Sequence, residues 1–282
     1  MRYKISHKTE YSFSERVFLE PHYLRFKPKD TPFSSLESFD LQLSIAPAGF
    51  SEQVDSENNL VHLYWFEGLH ESLIIQSESM VTMNEHNPFN FIFHPLSIAS
   101  LPFTYADSEK TLLQPALRVT EISRGLIEYG EKTRKASNSD TLQFISNLTS
   151  KIHDDFIVES RLIGMPYEPD KTFELKKASC RDLSWMQIQL LRHMGVAARF
   201  VSGYYYIDVE DPDFELHAWV EVFLPGAGWV GLDPSNGILT GNSHITISTS
   251  ALPENTMPVT GTIRGDATSE LSSDLLIESI DG

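Results

Sequence analysis

The sequence predicts an α+β protein in which an antiparallel, β-rich first third precedes a helix that leads into further antiparallel strands. Three observations predict it. Apolar residues alternate with polar ones along much of residues 1–82; a three- to four-residue apolar period takes over at 142–152 and again at 183–194; strand patterning then returns around a Pro225-Gly226-Ala227-Gly228 turn. At 282 residues the chain has room for two domains. The patterns divide it into a β-sandwich domain (1–100), a core (101–262) and an acidic C-terminal tail (263–282).

Taking the chain in order, Tyr3 and Ile5 open the first strand. Phe39, Leu41, Leu43 and Ile45 alternate in another, and Leu73 and Ile75 begin a third. The turn Asp55–Asn59 introduces Leu60–Phe66, a run continuous enough to be covered on both faces. This patterning suits an antiparallel sandwich of modest size. His7, His22, His62 and His70 lie in or beside these strands without metal-ligand spacing and read as structural or solvated. Residues 87–115, rich in Pro, Phe and Ser, suit a connection lying over a surface. Leu142, Ile145, Leu148 and Ile152 mark a helix capped by Ser139 or Asp140. Residues 156–177, broken by Gly164, Pro166 and Pro169, read as extended or irregular. From residue 262 the chain is polar and acidic apart from Leu275–Ile277, as a mobile tail or a late-docking edge segment would be.

A net charge of −17 disfavours nucleic-acid backbones and anionic membrane surfaces. With one cysteine no disulfide can form within the chain, and the first fifteen residues lack the apolar stretch of a signal peptide. No apolar run approaches the roughly 20 residues of a membrane helix. The expected setting is cytoplasmic, with neither nucleic acid nor membrane as partner. No cofactor or metal is expected: the acidic loop Asp208–Asp213 lacks the glycine turn of a calcium loop and contains Pro212, and no His-Glu-x-x-His occurs.

The chemistry concentrates between Ala178 and Gly237. Ser179, with Asp182 three residues on, reads as a capping box that opens an amphipathic helix at Cys180; Gly195 is placed to end it. The sulfur of Cys180 then sits among unpaired N–H groups at the positive end of the helix dipole, a field that favours a thiolate. His217 begins a strand and Asp233 ends its hairpin partner. If Phe223 faces Trp229 across the turn, Trp219 lies opposite Asp233, and His217 and Asp233 become diagonal neighbours on one face. A one-residue slip would send Asp233 to the opposite face. Cys180, His217 and Asp233 are thus candidates for nucleophile, base and orienter. Trp219 and Trp229 are placed either to wall a cleft or to fill the core.

These residues carry a resemblance. Cys180-Arg181-Asp182, Leu191-Arg192-His193-Met194-Gly195, Ala198–Tyr204, His217-Ala218-Trp219-Val220-Glu221 and Trp229–Pro234 occur in the order of the bacterial transglutaminase-like superfamily. Tyr3 to Tyr11 resembles the β-rich region that precedes this core in many members. The resemblance implies a papain- or transglutaminase-like core, with the cysteine helix packed on an antiparallel sheet, and a Cys-His-Asp triad at Cys180, His217 and Asp233. Members often have Gly around the residue before the nucleophile; this chain has Ala178-Ser179, a sound cap. The implied reaction is thiol-dependent acyl transfer on peptide or protein amides, with hydrolysis by a cysteine protease or amidase first. A transglutaminase joining amides to amines and a non-catalytic peptide-binding module on the same fold are the alternatives.

Overall fold

The alternation that starts at Tyr3 runs on through β1 (Arg2–Leu19) in the computed structural model, which describes residues 1–280. Five strands follow: β2 (His22–Leu24), β3 (Ser34–Leu43), β4 (Gly49–Val54), β5 (Leu60–Trp65) and β6 (His70–Met83). β1, β6 and β3 lie side by side in one sheet, and β2, β5 and β4 in a second. Leu19, Leu24, Phe26, Tyr64 and Leu73 pack in a shared core, the sandwich that the period-two pattern implies. The run Leu60–Phe66, expected to be covered on both faces, is so at its start, where neighbouring Val61 and His62 are both buried. Toward its end Tyr64 and Phe66 stay buried while Trp65 on the other face is 41% exposed.

Residues 84–106 do not simply cross the surface. Leu101 and Tyr105 are buried, and the Tyr105 hydroxyl donates to the Phe223 carbonyl (2.8 Å) and accepts from the Ala197 N–H (2.9 Å), strapping the connection onto the core. Helices α1 (Asp107–Leu112), α2 (Arg124–Ala136) and α3 (Thr141–Asp155) come next. Asp140 is the cap of α3, its carboxylate accepting from the Gln143 N–H at 2.8 Å. The stretch expected to be irregular contains β7 (Ile157–Val158), α4 (Pro169–Leu175) and β8 (Lys177–Ala178). Pro169 starts α4 rather than breaking it, since the first helical residue has no intrahelical N–H bond to lose.

Helix α5 (Cys180–His193) leads into β9 (Ala198–Tyr205), β10 (His217–Leu224), β11 (Gly228–Asp233), β12 (Ile238–Leu239) and β13 (His244–Ser250). The strands form one antiparallel sheet in the order β12-β11-β10-β9-β13. Leu183, Met186, Leu190 and Leu191 are fully buried against Phe200, Val220, Val222 and Leu232. At about 1.5–3 kcal/mol for each large apolar side chain, this contact is what fixes α5, and with it Cys180, against the sheet.

Of the two forms the sequence left open for the acidic tail, the structure has the edge segment. β14 (Val259–Thr260) joins β2, β15 (Ile263–Arg264) joins the end of β1, and β16 (Ser269–Ser279) pairs with β1 from Tyr3 to Phe13. Residues 269–279 are therefore an edge strand, anchored because Leu275 and Ile277 are buried beside Ile5 and Tyr204. The chain returns to its first strand, and the sandwich is built from both ends of the sequence. Residues 281 and 282 lie outside the described residues.

Candidate active site

The start of α5 is held by a carboxylate with no exposed surface. Asp182 accepts from the Ser179 N–H at 2.9 Å and from its hydroxyl at 2.6 Å, and also from the Tyr167 N–H (2.7 Å) and the Arg161 guanidinium (2.5 Å). The return half of the capping box is thus present, with the serine hydroxyl donating to Asp182. Arg181 turns its guanidinium onto the carbonyls of Gly164 (2.6 Å), Arg161 (2.7 Å) and Leu162 (3.2 Å), so it pins the 161–164 loop over the helix start. At the far end Gly195 takes φ +81°, and the Val196 N–H returns to the Leu191 carbonyl at 2.9 Å, the expected left-handed stop. Ser184 donates to the Ala218 carbonyl at 3.1 Å, tying the first turn of α5 to the start of β10.

The hairpin has the expected register. Phe223 pairs with Trp229 and Val220 with Leu232, and Leu224 pairs with Gly228, which tightens the turn to three residues. His217 and Asp233 consequently meet, with His217 Nε2 2.8 Å from Asp233 Oδ2. Cys180 lines the same two cavities as this imidazole and helps to raise its pKa; with Nε2 on the carboxylate, Nδ1 is the nitrogen left for the sulfur. Cys180, His217 and Asp233 are therefore brought together. β9 passes beside His217 at Gly203, where any Cβ would overlap the Trp219 ring and the Ile245 carbonyl; glycine there lets the strands close.

A fourth residue, His244, was not singled out from the sequence. Its Nε2 lies 3.0 Å from the same Oδ2 of Asp233, and its Nδ1 accepts from the Gly241 N–H at 3.3 Å. A backbone N–H can only donate, so Nδ1 is the bare nitrogen and Nε2 carries the proton. Asn236 Nδ2 (2.7 Å) completes Oδ2, while Oδ1 accepts from the Ser235 and Asn236 N–H groups at 2.9 and 3.2 Å. Tyr205 lies by both rings, its centroid 5.3 Å from His217 and 4.5 Å from His244. His217, Asp233 and His244 offer ligand atoms within 4.8 Å of one another, as a metal site needs. Here the Asp233 oxygens are instead filled by five N–H donors, and a cation would have to displace them.

The electrostatics divide the two histidines. Burial pulls the His217 pKa down, but the Asp233 charge, the hydrogen bond to it and the contact with Cys180 outweigh burial and raise it to about 10. Burial works to raise Asp233, and the two histidines overcome it, holding the carboxyl far below the ordinary carboxylate range. For His244 burial prevails and lowers the pKa, its bond to Asp233 offsetting only part of the effect.

Cys180 sits where two cavities meet. An inner one of about 210 Å³ reaches toward β1 and β16; an outer one of about 400 Å³ extends over Tyr205, Ser235 and Asn236. Neither tryptophan walls them. Trp219 is 1% exposed and packs on Gly203 and His244, while Trp229 lies 4.0 Å beneath the Arg199 guanidinium and lines a separate cavity. Of the sandwich histidines, His7 is buried and lines the inner cavity.

Comparison with known proteins finds matches over both parts of the chain. Residues 3–82 match the bacterial transglutaminase-like N-terminal region, and residues 127–234 match the transglutaminase-like superfamily core. An uncharacterized protein of Mycobacterium tuberculosis (strain H37Rv) is 25% identical over 259 residues, 87% of this chain and 82% of that one. YebA of Bacillus subtilis, also uncharacterized, is 34% identical over 98 residues, 29% of this chain and 13% of that protein. The crystal structure of a candidate cysteine protease from Cytophaga hutchinsonii superposes with a TM-score of 0.75 at 17% identity, covering 100% of this chain and 91% of that one, a likeness of fold. The chain belongs to the transglutaminase-like superfamily, with the bacterial transglutaminase-like N-terminal region ahead of its core.

Proposed function

We propose that the protein catalyses thiol-dependent acyl transfer on peptide or protein amides through Cys180, His217 and Asp233, with water as the usual acceptor. The observation that carries this reading is the position of His217, bonded on one side to buried Asp233 and lining, together with Cys180, the two cavities that meet there. An imidazolium whose pKa stands near 10 holds its proton at neutral pH and favours a thiolate across from it.

In the first half-reaction the Cys180 sulfur attacks the amide carbonyl carbon and a C–S bond forms. The oxygen gathers negative charge, for which the Cys180 N–H, one of the helix's first N–H groups with no intrahelical acceptor, is a donor by its position. His217 Nδ1 passes its proton to the amine as the C–N bond breaks. In the second half, water attacks the thioester while neutral His217 takes the water proton, and the thiolate leaves. Asp233 keeps Nε2–H oriented throughout and stabilises the imidazolium. The outer cavity beside Cys180 gives water an approach to the thioester. A fluorescent primary amine incubated with the enzyme and casein separates hydrolysis from transfer: peptide-bond cleavage or ammonia release with little amine incorporation is expected, and loss of both in Cys180→Ala. Amine incorporation without chain cleavage, with one ammonia released for each amine incorporated, would replace the hydrolase reading with a transglutaminase one.

A further inference from the structure

Along the inward face of β1 and β16 the register pairs Ile5 with Ile277, His7 with Leu275, Thr9 with Ser273 and Tyr11 with Leu271. At the Ile5 end this face is sealed: Tyr3, Ile5, Leu275 and Ile277 pack in one apolar cluster with Tyr204 and Ile245 of the core sheet. At the Thr9 end it parts from the core, and the gap is the inner cavity whose opposite wall includes Cys180 and His217. The change of character occurs at His7, where Nδ1 lies 3.1 Å from the Tyr204 hydroxyl and Nε2 lies 3.1 Å from Ser273 Oγ and 3.3 Å from Thr9 Oγ1. A hydroxyl-bearing row thus replaces the apolar row where the sheet faces the sulfur.

The charges of this cavity are unevenly placed. Arg181, Asp213, Glu215 and His217 line both cavities, whereas the residues that line the inner one alone include no Asp, Glu, Lys or Arg. Its walls are apolar (Phe200, Met257, Val259 and Leu271 among them), and burial lowers His7 to about 4, so that ring is neutral as well. A charged group carried past Arg181, Asp213, Glu215 and His217, into the part that only the inner cavity's own residues line, would lose its hydration with no opposite charge on those walls. An aliphatic or aromatic side chain loses nothing and gains the walls, and the hydroxyls of Thr9 and Ser273 stand ready for a polar tip.

We infer that the inner cavity is the substrate's side-chain pocket, formed between the core and the β1–β16 sheet, and that it selects an uncharged apolar or aromatic residue beside the attacked amide. The inference rests on the acyl-transfer reading. It makes the N-terminal region and the C-terminal strand the specificity wall for a nucleophile carried by the core.

The test uses full-length protein and five reagents that react with Cys180. Iodoacetamide reports the thiol alone; N-acetyl-phenylalanyl, leucyl, lysyl and aspartyl chloromethyl ketones carry a side chain beside the carbonyl, the sulfur displacing chloride in each. Phenylalanyl and leucyl probes are expected to label wild type at least about tenfold faster than lysyl and aspartyl ones. Ser273→Trp, which fills the cavity from the edge strand, is expected to lower the ratio of phenylalanyl to iodoacetamide rates by about tenfold or more. Ser273→Asp is expected to shift preference toward the lysyl probe. Equal rates across the four ketones in wild type, with iodoacetamide still reacting fast, would overturn the pocket and leave the acyl-transfer reading standing. So would a ratio unmoved by both substitutions. A thiol inert to iodoacetamide would overturn both.

Discussion

His217 and His244 rest on the same oxygen of Asp233, at 2.8 and 3.0 Å, yet their pKa values move in opposite directions. Burial pulls both rings down, and their surroundings answer it differently. For His217, at the cleft end of β10, the charge of Asp233, the hydrogen bond to it and the nearby Cys180 outweigh burial, and its pKa rises to about 10. His244, at the start of β13 and only 3% exposed in its side chain, turns its other nitrogen to the Gly241 N–H, which can only donate. Protonating His244 would set two N–H groups against each other. A shared carboxylate does not by itself make an imidazole cationic; at His244 burial, joined by the charge of His217, prevails over it. One histidine can then move a proton while the other holds the carboxylate in place.

The largest disturbance removes what the two share. Asp233→Asn keeps the shape but replaces the charge, and turnover is expected to fall on the order of 10³-fold, followed as the steady-state rate on a peptide amide. His217 should then titrate well below its present value, since the charge that raised it is gone. A smaller effect comes from the supporting side. His244→Ala is expected to lower kcat by about tenfold or more with little change in KM. His244→Gln should retain more activity, because its amide N–H can still donate to Asp233. Equal loss in both variants with an unchanged pH profile would assign His244 a packing role only.

Much of the site was legible in the sequence because its determinants are local. Ser179 and Asp182 mark the helix start within four residues, and the short turn between Phe223 and Trp229 sets the register that brings His217 to Asp233. His244 was not legible: it reaches Asp233 only because β13 crosses to pair with β9, on the far side of the sheet from β11. α4 was hidden by Pro169, which as a residue type signals a break and by position opens a helix. The C-terminal strand was legible only in part, as an edge segment that could equally be mobile. Its inward row, Leu271, Ser273, Leu275 and Ile277, is interrupted by a serine where it faces the cavity, and that interruption weakens the alternation by which a strand is recognised.

The most direct test of the account is the protonation state of His217, followed by NMR of ring-labelled histidine across pH 5 to 11 in wild type and in Cys180→Ala. In wild type the His217 imidazolium is expected to persist through neutral pH and to lose its proton only toward about 10, while the His244 ring stays neutral down into the acid range. In Cys180→Ala the His217 midpoint should fall, because one of the groups that raises it has been removed. A wild-type His217 titrating near 6.5, with the alanine variant indistinguishable from it, would contradict a thiolate–imidazolium pair at the centre of this site.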